Sequence, residues 1–188
     1  IIFNIYNLLI LVYSIIEVIL MFGFLYPKEY LSSVFEITAD KIKSLGLDTV
    51  IFDIDNTLVP YWIKVPDDRL KELFKGLTDN GIKVGVLSNS KEIRSKTFCT
   101  PVNIPYVFKA KKPGIKGFIK IMENMGSVPE KSMIVGDQIF TDVWCGNKAG
   151  AYSVLVKQVS PKDELLTAPK RPLEKIILHF YLKREKRK

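Results

Sequence analysis

The sequence predicts an α/β fold in which helices cover both faces of a mostly parallel, Rossmann-like sheet, giving three layers. From residue 27 to about residue 160, short β-branched stretches alternate with segments whose apolar residues recur at helical spacing. Glycine, proline or a capping residue separates most of these segments. Ligands of such sheets bind at the carboxyl ends of the strands, so polar residues that directly follow a strand are candidate functional groups.

Five strands are predicted from runs of apolar and β-branched residues. The first run ends at Asp53, and the fourth ends just before Gly136. The predicted strands span residues 48–53, 82–87, 106–108, 132–135 and 151–156. Because helices separate them, the strands are expected to lie parallel in one sheet.

Helices are predicted between these strands from capping residues and apolar spacing. The helix over residues 39–45 begins after Thr38 as its N-cap. The helix over residues 66–80 has Asp67 and Asp68 in its first turn, where acids favour the helix dipole, so neither is expected to be a ligand. Three further helices are predicted over residues 90–98, from residue 113 to near residue 126, and over residues 141–148.

The composition is that of an ordinary folded protein, with 188 residues of which 47% are hydrophobic and 26% charged. Cys99 and Cys145 lie far apart and have neither metal-binding nor redox spacing, which is typical of reduced thiols in a cytoplasmic protein. His179 is the single histidine, so serine-hydrolase triads and histidine-based zinc sites are excluded.

Residues 1–26 form a hydrophobic segment ahead of the predicted domain of residues 27–160. The segment could span a membrane, which needs roughly 20 apolar residues, but Glu17 near its middle is unfavourable there. It has no basic start or small-residue cleavage site that would indicate a signal peptide. Two interpretations stay open: a membrane anchor, or sequence upstream of a natural start at Met21, and we favour the second.

Residues 161–188 form a basic tail with nine basic and four acidic residues, which account for more than half of the net charge of +8. A helix is predicted over residues 173–182 from four apolar residues at helical spacing: Ile176, Ile177, Phe180 and Tyr181. This apolar face either packs on the domain or lies, with the basic cluster that follows, on the anionic cytoplasmic face of a membrane. Nucleic acid is not expected as a partner.

Residues 51–59 read Ile-Phe-Asp-Ile-Asp-Asn-Thr-Leu-Val and place two aspartates at the end of the first predicted strand. Asp53 and Asp55 are two residues apart, and such residues point to the same side of a strand. Their like charges need compensation by a divalent cation, a shared proton or both. The pair therefore indicates a carboxylate nucleophile beside a carboxylate acid or base.

Three more polar segments follow predicted strands and are expected at the same edge of the sheet. Ser88 and Asn89 follow the second strand, and the adjacent Lys111 and Lys112 precede a proline and a helix. The sequence Gly-Asp-Gln-Ile-Phe-Thr-Asp, which contains Asp137 and Asp142, follows the fourth strand. Four such segments in this order are a far more specific signal than a lone Asp-x-Asp.

These motifs resemble those of the haloacid dehalogenase (HAD) superfamily of phosphotransferases. The similarity extends from about residue 30 to residue 157 and is strongest to the cap-less, YqeG-like group, which is related to the mitochondrial phosphatidylglycerophosphatases. The resemblance implies an HAD-like fold, a phosphorylated substrate and Mg²⁺ as the cofactor. It also implies hydrolysis of a phosphomonoester through an aspartyl-phosphate intermediate.

The resemblance assigns catalytic roles to Asp53, Asp55 and Lys112. Asp53 is expected to attack phosphorus, while Asp55 protonates the leaving group and then activates water. Lys112 is expected to offset the charge of Asp53 and of the phosphoryl group. Thr57, Ser88 and Asn89 are expected to contribute to substrate binding.

The resemblance also implies a set of Mg²⁺ ligands. Asp53 and Asp137 are expected to offer carboxylate oxygens, and Asp55 its backbone carbonyl. Asp142 has a supporting part, for which three possibilities stay open. It holds a metal-bound water, orients Lys112, or acts as a helix-start acid that favours the dipole.

The spacing of the motifs leaves no room for a cap domain. Only 30 residues separate Thr57 from Ser88 and 21 separate Asn89 from Lys111, and both stretches already contain predicted elements. The site is therefore expected to be open, with residues 60–65 at its edge, which suits a phosphate on a large object such as a lipid.

With the resemblance, this openness makes phosphatidylglycerophosphate the leading substrate. The alternatives are a phosphatase of broad, nucleotide or sugar-phosphate specificity, and a non-catalytic regulatory protein with this fold.

Overall fold

The central feature of the computed structural model is a six-stranded sheet, within described residues 23–162 and 168–187. The strands are β1 Glu29–Leu31, β2 Thr49–Phe52, β3 Lys83–Leu87, β4 Tyr106–Val107, β5 Ser132–Gly136 and β6 Tyr152–Val156. Their spatial order is β1-β6-β5-β2-β3-β4, and all of these pairings are parallel. The predicted α/β class is confirmed.

Six α-helices connect or follow these strands in the part of the chain that the structure describes. They are α1 Ala39–Ser44, α2 Asp68–Asp79, α3 Glu92–Cys99, α4 Lys116–Met125, α5 Trp144–Ala149 and α6 Arg171–Glu185. Single 3₁₀ turns occupy Gly23–Leu25, Val34–Glu36, Thr100–Val102, Pro129–Lys131 and Ala168–Lys170. The predicted N-cap Thr38 accepts a hydrogen bond from Lys41 N at 3.2 Å, so α1 begins where the sequence indicates.

Two elements differ from the prediction. Strand β1 was not predicted, and it joins the sheet through a parallel pairing of Glu29 with Val154 of β6. The helix predicted over residues 141–148 is in fact a π-helical turn, Ile139–Val143, followed by α5. A π turn inserts one residue into the helical repeat and is frequent at functional sites.

Helices cover both faces of the sheet, which gives the three predicted layers. In the central strand β2, Val50 and Phe52 face the side that is covered by Phe74 of α2, with the two phenyl ring centroids 5.8 Å apart. Ile51 points the opposite way and packs in a second cluster with Phe118 of α4. All four β2 residues are buried, as expected for a parallel strand between two helical layers.

The tail helix α6 packs on the body of the protein through one of its faces. Ile177 and Tyr181 are buried in a third apolar cluster, which also contains Leu25, Tyr26, Ile139, Val143 and Leu155. By contrast, Ile176 and Phe180 point outward and are 53% and 41% exposed. The apolar residues of the predicted tail helix are therefore divided between a packed face and an exposed face.

Residues 1–22 of the predicted hydrophobic segment lie outside the described residues, so that segment stays a prediction. Within residues 23–162 and 168–187, no helix combines the length and the apolar character needed to cross a bilayer.

Candidate active site

The polar segments predicted to be functional lie together at the carboxyl edge of the sheet. Asp53 follows the central strand β2, whose neighbours are β3 and β5. Ser88 follows β3 and Asp137 follows β5, so strand order alone brings these residues close to Asp53. Lys112 reaches the same place from the loop between β4 and α4.

The deepest part of the site is a lysine between two aspartates. Lys112 Nζ donates to Asp53 Oδ1 at 2.7 Å and to Asp142 Oδ1 at 2.6 Å, and it also donates to the carbonyl of Leu87 at 2.8 Å. The side chains of Lys112, Asp53 and Asp142 are only 2%, 9% and 1% exposed. Three acceptors satisfy the three donors of the ammonium group, so the charge is held at a fixed position.

Burial and crowding shift the pKa values of this cluster. Burial raises the pKa of Asp53 to about 8; Lys112 opposes the shift, while Asp142 and Asp137 add to it. Burial lowers the pKa of Lys112, but the attraction of Asp142 and Asp53 outweighs it, and the pKa is raised overall. Lys112 therefore stays charged. The raised pKa of Asp53 indicates that Lys112 alone does not compensate the buried aspartates, so a further positive charge would stabilise their ionised forms.

Asn89 fixes the backbone of Lys112. Its side-chain oxygen accepts from Lys112 N at 2.8 Å, and its amide nitrogen donates to Lys112 O at 3.1 Å. Both ends of this amide are thus used to hold the loop that delivers the lysine. A part for Asn89 in substrate binding stays a prediction.

Ser88 is buried at the end of β3. Its hydroxyl accepts from Ser90 N at 3.1 Å, and its backbone carbonyl accepts from Ala110 N at 3.0 Å. These bonds join the turn after β3 to the loop that carries Lys112.

Asp137 is held by groups from two distant segments. The hydroxyl of Thr57 donates to Asp137 Oδ1 at 3.0 Å and accepts from Asp137 N at the same distance. Thr57 is therefore bonded to Asp137, and its predicted part in substrate binding stays a prediction. Arg171, from the start of α6, donates to the Asp137 carbonyl at 2.8 Å and forms an ion pair with its carboxylate. Burial raises the pKa of Asp137 to about 7, although Arg171 lowers it.

Gly136 allows Asp142 to approach the end of β5. A Cβ atom at this glycine would lie 2.2 Å from Asp142 Cγ, far inside van der Waals contact. Asp142 Oδ2 accepts from Gln138 N at 3.1 Å, while its other oxygen accepts from Lys112. This geometry contains the contact of Asp142 with Lys112. Asp142 also lies in the first turn of the π-helical segment and bonds to the N–H of Gln138, as a helix-start acid does, so both of these parts stay open.

Asp55 lies farther out and has partners of its own. Its carboxylate accepts from Ser90 Oγ at 2.6 Å and from Arg94 Nε and Nη2 at 2.9 and 2.8 Å. The side chains of Arg94 and Asp55 are 13% and 16% exposed. Arg94 also donates to Lys64 O at 3.2 Å, which ties residues 60–65 to the Asp55 pair.

Sequence reasoning missed Ser90, Arg94 and Arg171. Arg94 lies 39 residues from Asp55, and Arg171 lies 34 residues from Asp137. Neither separation has a periodicity that a pattern could detect. A usable signal was available only for Arg94, as a basic residue on the helix that directly follows a motif-bearing strand.

The residues present fit a divalent cation. Asp53, Asp137 and Asp142 are buried, and one carboxylate oxygen from each lies within 4.8 Å of the others. Lys112 and Arg171 pair with these three acids, and Arg171 is shared with a fourth acid, Glu174, so the acids outnumber the cations paired with them. Hard carboxylate oxygens with excess negative charge are the donors that Mg²⁺ prefers.

The edge of the site carries exposed apolar residues. Tyr61, Trp62 and Ile63 are 39%, 46% and 40% exposed, and the two aromatic rings form an edge-to-face pair at 5.0 Å. These side chains do not pack into the core. No folded insertion covers the site from either of the two positions where a cap could be inserted, after β2 or after β3.

Comparisons with known proteins agree with this architecture. A family model described as HAD-hyrolase-like matches residues 110–179. The Probable phosphatase YqeG of Bacillus subtilis is 38% identical over 155 residues, which cover 82% of this chain and 90% of that protein. Phosphatidylglycerophosphate phosphatase 1, chloroplastic/mitochondrial, of Arabidopsis thaliana is 28% identical over 160 residues, or 76% of this chain and 44% of that protein.

A solved structure shares the fold. The cobalt-bound deoxy-D-mannose-octulosonate 8-phosphate phosphatase of Haemophilus influenzae superposes with a TM-score of 0.50 at 21% identity, over 61% of this chain and 70% of that one. The similarity to YqeG extends over most of both proteins, and the resemblance inferred from the motifs is confirmed. The chain belongs to the HAD superfamily, as a cap-less phosphatase of the YqeG-like group.

Proposed function

We propose that this phosphatase hydrolyses phosphomonoesters in the presence of Mg²⁺ through an aspartyl-phosphate on Asp53, and that its substrate is phosphatidylglycerophosphate. The observation that supports the chemistry best is the buried cluster of Asp53, Lys112 and Asp142 beside Asp137. Unaided hydrolysis of a phosphomonoester is among the slowest known reactions, so the site must supply a nucleophile, a proton and positive charge.

The proposed reaction has two steps. An oxygen of Asp53 forms a bond to phosphorus while the ester P–O bond breaks, and Asp55 gives its proton to the departing alkoxide. Water then attacks the phosphorus of the aspartyl-phosphate while the bond between phosphorus and the Asp53 oxygen breaks. Asp55 takes up a proton from that water, the Asp53 carboxylate is restored, and inorganic phosphate leaves. Lys112 keeps Asp53 oriented and compensates its charge throughout.

Mg²⁺ would be held by the carboxylates of Asp53 and Asp137 and by the backbone carbonyl of Asp55. Asp142 would support these ligands indirectly, because it bonds to Lys112, which in turn bonds to Asp53. The bound ion supplies positive charge that offsets the negative charge of the transferring phosphoryl group.

Two observations support a lipid substrate. In the part of the chain that the structure describes, no folded insertion covers the site, and its edge presents Tyr61, Trp62 and Ile63 to solvent. Aromatic side chains of this kind favour the interface between water and a bilayer. The similarity to the Arabidopsis phosphatidylglycerophosphate phosphatase suggests the headgroup.

The exposed face of α6 supports peripheral contact with an anionic membrane. Leu173, Ile176 and Phe180 lie one helical turn apart and are 47%, 53% and 41% exposed. Lys183 and Arg184 follow them at the end of the helix. An apolar stripe that ends in basic residues combines insertion between lipids with attraction to their charge.

Soluble phosphates are the alternative substrates. Two further relatives are named Putative pyrophosphatase PpaX, of Clostridium perfringens, and Phosphoglycolate phosphatase, of Aquifex aeolicus, at 28% and 30% identity over about half of each chain. An open site would also admit such compounds.

The test is phosphate release by the full chain with Mg²⁺, from phosphatidylglycerophosphate in mixed micelles and from its deacylated headgroup. The two compounds carry the same phosphates, so a higher kcat/KM for the lipid isolates recognition of the acyl part. We expect a difference of at least about tenfold, which corresponds to about 1.4 kcal/mol. A wide preference for nucleotide or sugar phosphates would contradict the lipid assignment. If the chain releases no phosphate from any monoester in the presence of Mg²⁺, the proposed function is wrong.

A further inference from the structure

The first residue of the tail helix reaches the candidate metal site. Arg171 begins α6 and is 9% exposed, although it lies in the basic tail of the chain. Its Nη1 donates to the backbone carbonyl of Asp137 at 2.8 Å, and its Nη2 pairs with the Asp137 carboxylate. One guanidinium therefore grips both the main chain and the side chain of the same residue.

Arg171 is itself braced. Glu174, one turn further along α6, accepts from Arg171 Nη1 at 3.0 Å and from the backbone N of Phe140 at 3.0 Å. Glu174 thus joins the tail helix to the π-helical turn that follows Asp137. The burial of Ile177 and Tyr181 anchors the rest of the helix, so the backbone that carries Arg171 is also held in place.

The two oxygens of the Asp137 carboxylate are held by different donors. Oδ1 accepts from the Thr57 hydroxyl at 3.0 Å, and Oδ2 pairs with Arg171. Donors on both oxygens prevent rotation of the carboxylate. An ionised carboxylate offers about four lone-pair positions, so each oxygen keeps one that can face a cation.

We propose that Arg171 is a positioning residue of the metal site, which holds Asp137 in the orientation that binds Mg²⁺ and so makes the tail helix part of the active site. This inference rests on the proposed function, since it assumes that Asp137 is a metal ligand. Arg171 suits the task because a planar guanidinium can bond two acceptors at once, whereas a lysine is a single point of charge.

The opposite role is also physically possible and gives a different result. If Arg171 merely occupied the place of the cation, its removal would free Asp137 and tighten the binding of Mg²⁺. If it positions Asp137, its removal weakens binding, since loss of a partner that orients a metal ligand typically costs about 10- to 100-fold in affinity.

The experiment compares Arg171→Met and Arg171→Lys with the native full chain. Methionine retains much of the aliphatic stem that packs in the protein, and lysine retains the charge. Binding of Mg²⁺ is measured by titration calorimetry without substrate, and the Mg²⁺ dependence of turnover is measured separately. We expect the dissociation constant to rise by about 10- to 100-fold in Arg171→Met and by a smaller factor in Arg171→Lys.

Arg184→Met is the matched control, because Arg184 belongs to the same helix and contacts the ring of Tyr26 instead of the site. It should bind Mg²⁺ as the native chain does. Thermal melts in EDTA verify folding, and if Arg171→Met does not fold, the affinity of Arg171→Lys decides.

Unchanged or tighter binding of Mg²⁺ by the folded Arg171 variants overturns the inference and leaves the proposed function intact. A native chain that binds no Mg²⁺ and hydrolyses no phosphomonoester overturns the proposed function instead.

Discussion

Two groups of carboxylates and cations lie at the same edge of the sheet and differ in their surroundings. The floor cluster, Asp53, Lys112 and Asp142, has side chains that are at most 9% exposed. The rim cluster, Asp55, Ser90 and Arg94, contains an ion pair whose side chains are 13% and 16% exposed.

The difference in burial indicates a difference in freedom. In the floor cluster, any rearrangement leaves a buried charge without a partner, which is costly. In the rim cluster, water can replace one partner of Asp55 at a small cost. The groups at the floor are therefore expected to keep their partners, and the carboxylate proposed to carry a proton lies where it can change partners.

The largest expected effect distinguishes Asp53 from Asp55 by the reaction step that is blocked when each one is replaced. With p-nitrophenyl phosphate, whose leaving group needs no proton, Asp53→Asn should lose at least about 10³-fold in turnover and show no burst. Asp55→Asn should still release about one p-nitrophenolate per enzyme and then stall. The burst and the steady turnover of both variants are measured by rapid mixing, with the absorbance of p-nitrophenolate followed at roughly 405 nm. An equal burst and equal turnover in the two variants would contradict the different roles proposed for Asp53 and Asp55.

A second test compares stability. Lys112→Met leaves Asp53 and Asp142 buried without their shared cation, and it should lower the free energy of unfolding by about 3–5 kcal/mol. Arg94→Met removes a partly exposed pair and should cost about 1 kcal/mol or less. Urea denaturation of both variants gives the two values, and a larger loss for Arg94→Met would reverse the order inferred from burial.

A smaller effect is expected from a methyl group added at the floor. In Gly136→Ala, the new Cβ would meet the side chain of Asp142 at 2.2–2.3 Å, so Asp142 must move, and we expect a loss of about 1–3 kcal/mol. Gly76→Ala on the exposed part of α2 has no atom within 4 Å of the new Cβ and should stabilise the protein by about 0.5–1 kcal/mol. Thermal melts of the two variants measure the difference in stability. Equal stabilities would mean that Asp142 moves away from the new methyl group at no cost in free energy.

The smallest expected effect concerns the two cysteines, both of which are buried. Cys99 lies on α3, the helix of Arg94, and Cys145 Sγ donates to the carbonyl of Gly114 at 3.6 Å. Burial raises the pKa of Cys99 to about 12 and that of Cys145 to about 11. At pH 8 both thiols are protonated, and neither should react with a disulfide reagent in the native protein. Selective labelling of Cys99 would contradict this expectation and would reveal local opening of α3.

Local sequence signals predicted most of the fold. Strand β2 and helix α1 have apolar runs and a capping residue that act within a few positions, so their existence follows from the sequence. Strand β1 has three residues, and it is a strand because β6 offers it hydrogen bonds at the edge of the sheet. Such pairing depends on tertiary structure, and a short segment provides no pattern for it.

In the candidate site, too, some residues could be predicted from local sequence and others depend on the tertiary structure. Asp53, Asp55 and Asp137 were recognisable because each belongs to a motif at a strand end. The partners of these aspartates were predictable only in part. Lys112 precedes a proline within a motif, whereas Arg94 and Arg171 come from helices with no distinctive spacing, and only the folded chain brings them to Asp55 and Asp137.

The pairing of β1 with β6 has a consequence for synthesis of the chain on the ribosome. Lys28, just before β1, bonds to Ser153, 125 residues later, so the first described strand waits for the last one before it can join the sheet. Contacts of such long range slow folding, and unpaired strand edges favour aggregation in the meantime. Arg171 leaves the ribosome later still, so the proposed metal site is expected to be among the last features to form as the nascent chain folds.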